Sequence, residues 1–130
     1  MTDKGGVLLN KRERGSAYEN RASLFLEKNG VKVIERNFRC RMGEIDIIGI
    51  EPKDKELVFV EVKYRRTSGF GRASEAVDFR KQSIICNVSD YYRIGHKQFM
   101  DHTIRYDVIA FDDERIKWIK NAFSYVGRGF

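Results

Sequence analysis

A chain of 130 residues, 42% hydrophobic, 12% aromatic and 34% charged, has the length of one domain and the composition of an ordered globular protein, which excludes intrinsic disorder. Its 25 lysines and arginines against 19 acidic residues give a net charge of +6, a balance that favours a polyanionic partner. No run approaches the ~18 apolar residues of a membrane span, and Met1 to Gly6 lacks the apolar segment of a secretion signal, so the expected location is the cytoplasm.

Residues 1–14 read as a mobile basic tail ahead of a single domain over 15–130. Ser16 to Asn29 predicts a helix, with Tyr18, Ala22, Phe25, Leu26 and Asn29 along one side and Gly30 as its stop. Glu19 stands beside that apolar stripe and three residues after Ser16, so it suits either a capping box or an acidic site. Val31 to Phe38 is a first strand. A basic turn through Arg41-Met42-Gly43 leads into the second, G-E-I-D-I-I-G-I from Gly43 to Ile50, and the third is L-V-F-V-E-V-K-Y from Leu57 to Tyr64. The polar run Glu51-Pro52-Lys53-Asp54-Lys55, with the only proline, joins the second and third strands as an antiparallel hairpin.

The second and third strands carry charge where strands of this composition are usually apolar. Because side chains alternate along a strand, Glu44 and Asp46 share a face, as do Glu61 and Lys63, and the hairpin lets the two pairs meet. Two carboxylates about 4 Å apart repel by roughly 4 kcal/mol at an effective dielectric near 20, and burial adds to the cost. A divalent cation offsets it: Mg²⁺ favours one or two carboxylates, several waters and phosphate oxygens of a substrate. Lys63 would reach the same site to orient an attacking water or neutralise charge on a phosphate. The chemistry suggested is phosphodiester hydrolysis. A lone E-x-K is more often an ion pair on a partly exposed strand, with Gly43-Glu44 in a turn; it is the joint occurrence with Gly43-Glu44-Ile45-Asp46 that favours a metal site.

After Tyr64 the segment Arg65 to Arg72 holds two glycines and three arginines, a flexible basic loop placed where a substrate strand could enter. Phe70 in it suits either stacking on a base or anchoring the loop. A long helix is predicted from Ser74 to Ile94, capped by Ser74, with Glu75 and Asp78 in its first turn and a stripe of Val77, Lys81, Ile84, Val88 and Tyr91. Lys81, the odd member of that row, points its ammonium toward the site or snorkels past the stripe. Thr103 to Asp112 and Arg115 to Ala122 read as two more strands extending the sheet. Arg105 and Asp107 share a face and are simplest as an ion pair, without a catalytic role for Asp107. His96 and His102 have no metal-ligand spacing, and Cys40 and Cys86 are too few for a zinc cluster or a disulfide framework; both read as reduced thiols, Cys86 in a helix core. The clusters Lys11-Arg12-Arg14, Arg36-Arg39-Arg41, Lys63-Arg65-Arg66 with Arg72, and Arg80-Lys81 flank the acidic segments, giving a negative centre in a basic rim.

The order helix with Glu19, Gly43-Glu44-Ile45-Asp46, Phe59-Val60-Glu61-Val62-Lys63, helix, Arg105-Tyr106-Asp107-Val108 and Trp118 to Phe123 resembles the bacterial YraN-type family of small endonuclease-like proteins, from about Gly15 to Phe123. Arg36-Asn37, the Phe70-Gly71 loop and the closing Asn121-Ala122-Phe123 strengthen the resemblance. That family looks like a member of the PD-(D/E)XK nuclease superfamily, as in Holliday junction resolvases. The resemblance implies an α/β, restriction-endonuclease-like α-β-β-β-α-β core, a central mixed sheet flanked by helices. It makes Asp46 the metal-binding aspartate, Glu61 the second acidic ligand and Lys63 the catalytic lysine. The Val62 carbonyl would complete the metal's inner shell, and Glu19 would match the acidic residue on the first helix. Glu44 departs from the superfamily's proline-aspartate start and ranks below Asp46.

The expectation is a Mg²⁺- or Mn²⁺-dependent endonuclease acting on branched or structured DNA, with Arg41, Arg65, Arg66, Arg72 and Lys81 binding nucleic acid. The alternatives are a non-catalytic nucleic-acid-binding module that retains the fold, and a protein-interaction adaptor. DNA and RNA stay open, and a two-fold junction substrate would favour a homodimer.

Overall fold

The computed structural model describes residues 11–65, 77–112 and 115–126. Helix α1, Lys11–Lys28, is followed by strands β1, Lys32–Cys40, β2, Gly43–Glu51, and β3, Glu56–Arg65. Helix α2, Phe79–Gly95, precedes β4, Thr103–Asp112, and β5, Arg115–Phe123. The strands form one sheet in the order β1-β2-β3-β4-β5, antiparallel except for the parallel β3–β4 pair. This is the expected central mixed sheet flanked by helices in α-β-β-β-α-β order, and β5 adds an edge strand. Among the described residues no helix is long and apolar enough to cross a membrane.

The parallel β3–β4 pair requires a crossover, and α2 lies on it, packed on one face of the sheet. On that face Ile45, Ile48, Leu57, Phe59, Tyr106 and Val108 meet Ile85, Cys86, Val88 and Tyr92 of α2. On the other, Ile47, Val58, Val60, Ile109 and Phe111 meet Ala22 and Leu26 of α1. The alternation along β3 is regular: Leu57 and Phe59 face α2, Val58 and Val60 face α1.

Both helices start elsewhere than the sequence suggests. Helix α1 already includes Lys11, so Ser16 lies inside it and cannot serve as its cap, and Lys11-Arg12-Arg14 belong to the helix rather than to a tail. Its end is as expected, with Gly30 in a left-handed conformation at φ 92° and Val31 donating back to the Leu26 carbonyl at 3.0 Å. The cap of α2 is Asp78, whose carboxylate accepts from the Lys81 amide at 2.9 Å; Ser74 and Glu75 lie outside the described residues, as do residues 1–10 and the loop arginines Arg66 and Arg72 with Phe70. Asp wins the cap because its short side chain reaches the third helical amide while Val77 before it is buried against the core.

The hairpin between β2 and β3 turns through a 3₁₀ segment, Pro52–Asp54, closed by Lys55 with φ 53°. Close by, Arg105 bonds Glu51 at 2.6 Å and Glu56 at 2.9 Å through Nη1, and Asp107 at 2.9 and 3.0 Å through Nε and Nη2. Asp107 also accepts from Trp118 Nε1 and the Asn121 amide, each at 2.9 Å. The ion pair read from the sequence is thus the centre of a buried network tying β2, β3, β4 and β5 together.

Candidate active site

Regular alternation fails near the middle of the β1–β2 ribbon, and the acidic residues gather there. On β2, Ile45 packs on the α2 side and Ile47 on the α1 side, although residues two apart should share a face. On β1, Phe38 packs on the α2 side, whereas Arg36, two residues away, reaches Glu19 on α1. The register runs Arg36↔Ile47, then Phe38↔Ile45, and leaves Asn37 and Asp46 unpaired between them. Asn37 is left-handed there, with φ 54°. The β1–β2 ribbon therefore turns over at Asn37 and Asp46. On the other side of β2, pairing with β3 stops at Ile47↔Val60.

Asp46 consequently sits in the seam between the two faces. Its Oδ2 accepts the Val62 amide hydrogen at 2.8 Å, a side-chain substitute for the missing ladder bond. Burial pushes its pKa up from the ordinary 3.8 to about 8, with further upward pressure from Glu61, Glu19 and Glu44; only the Val62 amide opposes this. Among the described residues no cation pairs with Asp46.

Glu61 is buried on the α2 side of β3, and one of its oxygens, Oε2, lies 3.3 Å from Lys63 Nζ and 3.6 Å from Lys81 Nζ. Lys63 shares its face by alternation. Lys81 arrives from the first turn of α2, so its ammonium points to the site rather than past the stripe. Glu19 projects from α1, largely buried and 3.6 Å from Arg36 Nη2, while Glu44 stands 3.4 Å from Arg39 Nε across the β1–β2 pair. Arg41 is exposed in the turn between β1 and β2. His96 stacks on Tyr92 with centroids 3.8 Å apart and its Nδ1 lies 2.7 Å from the Tyr92 carbonyl oxygen, a packing role. Cys40 and Cys86 are free thiols, Cys86 buried in the α2 core.

The structure thus brings Asp46, Glu61, Lys63, Lys81, Glu19 and Glu44 to one end of the sheet. Asp107 is not among them, because it faces the α1 side within the Arg105 network. Among the described residues, the group of three acidic side chains with oxygens all within 4.8 Å is Glu51, Asp54 and Glu56 at the hairpin turn, where Arg105 already bonds Glu51 and Glu56. The Asp46 set is more open. Its donor chemistry suits a hard divalent cation nonetheless: a half-buried carboxylate with acidic neighbours and, among the described residues, no cation paired with it. In the sequence Arg36-Asn37 is only a motif; the turnover at Asn37 opposite Asp46 is a finding of the structure, and an asparagine amid strand-forming residues is its one sequence signal.

The sequence profile of the Uncharacterised protein family UPF0102 matches residues 18–111. A UPF0102 protein of Fusobacterium nucleatum is 43% identical over 113 residues, covering 87% of this chain and 92% of the relative. One from Lachnoclostridium phytofermentans is 40% identical over 119 residues, 92% of this chain and 99% of its own, and one from Caldicellulosiruptor bescii 43% over 121 residues, 88% and 100%. Among solved structures, a repair endonuclease from Pyrococcus abyssi is similar at TM-score 0.40 and 22% identity, over 88% of this chain and 42% of that one. The protein of an EndoMS-dsDNA2 complex is similar at TM-score 0.40 and 19% identity, over 83% of this chain and 39% of that one. The chain therefore spans about two-fifths of the length of either solved protein.

Proposed function

The chain belongs to the uncharacterised protein family UPF0102, and we propose that it is a Mg²⁺- or Mn²⁺-dependent endonuclease cleaving phosphodiester bonds in branched or otherwise structured DNA. The observation that carries the reading is the position of Asp46, half-buried in the seam with Glu61, Glu19 and Glu44 around it and, among the described residues, no cation paired with it.

Asp46 and Glu61, with the Val62 carbonyl, would hold the metal, and Glu19 would support it from α1. When bound, the divalent ion supplies a Lewis acid that stabilises negative charge on the attacked phosphate and acidifies a coordinated water. Lys63, held 3.3 Å from Glu61, orients the attacking water and donates to a non-bridging phosphate oxygen. Lys81 adds a second ammonium on the same side and draws the backbone toward it. Arg41 grips a flanking phosphate, a role the sequence also assigns to Arg65, Arg66 and Arg72, whose side chains lie outside the described residues. On this reading the protein works beside the chromosome, in the cytoplasm, and a two-fold junction would engage two copies.

The test is incubation with labelled four-way junction, flap and plain duplex in Mg²⁺ or Mn²⁺ against EDTA. Metal-dependent products from the branched substrates, lost in Asp46→Ala and Lys63→Ala, are expected. Salt-sensitive binding without any product would overturn the nuclease reading in favour of a binding module, and absence of affinity at low salt would overturn both.

A further inference from the structure

Beside the candidate site a cavity of about 470 Å³ opens between α1 and the β1–β2 hairpin. Arg12, Ser16 and Glu19 line it from the helix, and Asn37, Arg39 and Glu44 from the hairpin. Glu19 and Glu44, which line it, are also two of the three carboxylates whose charge reaches Asp46, so the cavity lies beside the seam. Its size falls in the usual range of ligand sites, about 300–1,000 Å³.

We propose that this cleft receives a single, unpaired strand of nucleic acid where it leaves the scissile bond, an assignment that rests on the nuclease reading and narrows its substrate to one with an unpaired segment next to the cut. The arrangement of charge is the first reason. One arginine stands on each wall, Arg12 on the helix and Arg39 on the strand, which suits consecutive phosphates of a backbone passing between them. Arg39 meets Glu44 only through Nε at 3.4 Å and is largely exposed, so a phosphate can approach the rest of its guanidinium.

The second reason is the chemistry between the arginines. Ser16 and Asn37 offer hydrogen bonds of both kinds, and the two carboxylates accept from exocyclic base amines such as cytosine N4. The two cations and two carboxylates of the lining cancel, so the cleft suits a strand with one charge per nucleotide and not a dense polyphosphate. Shape is the third. A cavity of about 470 Å³ has the volume of a small-ligand site, room for an unpaired nucleotide and not for a duplex. Gly15 lines the same wall, and a Cβ built on it meets nothing within 4 Å, so the helix side of the cleft is open.

The test is binding without cleavage: wild-type protein in EDTA, measured by fluorescence anisotropy with a labelled single strand, a forked duplex with one unpaired arm, and a blunt duplex of equal length. The fork and the single strand should bind at least ten-fold more tightly than the blunt duplex. Arg12→Ala and Arg39→Ala should each weaken fork binding about three- to ten-fold and lower the salt slope by about one, with little effect on the blunt duplex. Ser16→Trp, which fills the cleft from an exposed helix position, should abolish the preference; Gly15→Phe serves the same purpose if that variant does not fold. Equal affinity for all three probes, or a preference that survives both filling variants, overturns the assignment. Because no metal is present, fork preference without metal-dependent cleavage would sink the nuclease reading and leave the cleft, while cleavage lost in Asp46→Ala without fork preference would do the reverse.

Discussion

Asn37 stands across from Asp46 at a step where the β1–β2 pairing is interrupted, and its left-handed backbone turns the ribbon over so that Asp46 lies between carboxylates of both sheet faces. The left-handed region costs an L-residue roughly 1–2 kcal/mol, less for asparagine and nothing for glycine. Asn37→Gly should therefore stay within a few tenths of a kcal/mol of the parent in urea denaturation. Asn37→Val, β-branched, should lose about 1–2 kcal/mol and impair cleavage as well, since relaxing the turnover moves Asp46.

The protonation of Asp46 gives a pH signature. Its folded pKa of about 8 lies above the ordinary 3.8, so between those values the native state holds a proton that the unfolded state has released. Unfolding then releases protons, and the stability this group contributes, complete below about pH 4, falls as pH rises to about 8. Asp46→Asn keeps the neutral form throughout. It should match the parent near pH 4 and exceed it increasingly up to pH 9, by at most roughly 3–5 kcal/mol. Thermal melts at pH 4, 6, 8 and 9 check this, and a difference independent of pH would contradict it. Adding Mg²⁺ at pH 8 should raise the melting temperature of the parent but not of Asp46→Asn.

Lys63 and Lys81 share one oxygen of the buried Glu61, so neither is essential for keeping that carboxylate paired. Removing either should cost little stability, roughly 1 kcal/mol or less. Their effects on cleavage should separate. Lys63→Ala should lower the rate about 10²- to 10⁴-fold, the span of a positioned acid–base group, whereas Lys81→Ala, acting on substrate approach, should lower it about ten-fold and weaken DNA binding. Single-turnover rates set beside binding constants distinguish the two.

Much of this was legible in the chain. The strands announced themselves through Ile and Val runs, and the grouping of Asp46 with Glu61 and Lys63 followed from period-two alternation across a hairpin. Alternation was also where the reading fell short. It puts Glu44 and Asp46 on one face, meeting Glu61 and Lys63 across the hairpin, but a break in the ladder places Asp46 in a seam instead, and such a break depends on the tertiary twist rather than on local pattern. The caps failed for a related reason. Ser16 and Ser74 satisfy a motif, yet Lys11 is already helical and Asp78 takes the second cap because Val77 is anchored in the core. The cleft was invisible, since Arg12 and Arg39 are 27 residues apart in sequence and meet only through packing of α1 on the sheet.

Asp107 separates architecture from chemistry. Its carboxylate is buried and accepts four hydrogen bonds, from Arg105 Nε and Nη2, Trp118 Nε1 and the Asn121 amide. Arg105 in turn holds Glu51 and Glu56 at the hairpin. Removing the carboxylate leaves a guanidinium, an indole and an amide without their acceptor in the interior, and breaking a buried pair from one side typically costs about 3–5 kcal/mol. Asp107→Ala should therefore unfold at markedly lower urea concentration. Asp107→Asn, which keeps the shape and some of the acceptors, should lose about half as much. Because Asp107 faces α1 while Glu61 faces α2, the folded fraction of Asp107→Asn should cleave at the parental rate per molecule. Denaturation curves paired with rates normalised to folded protein test this, and a rate loss beyond the unfolded fraction would move Asp107 into the active site.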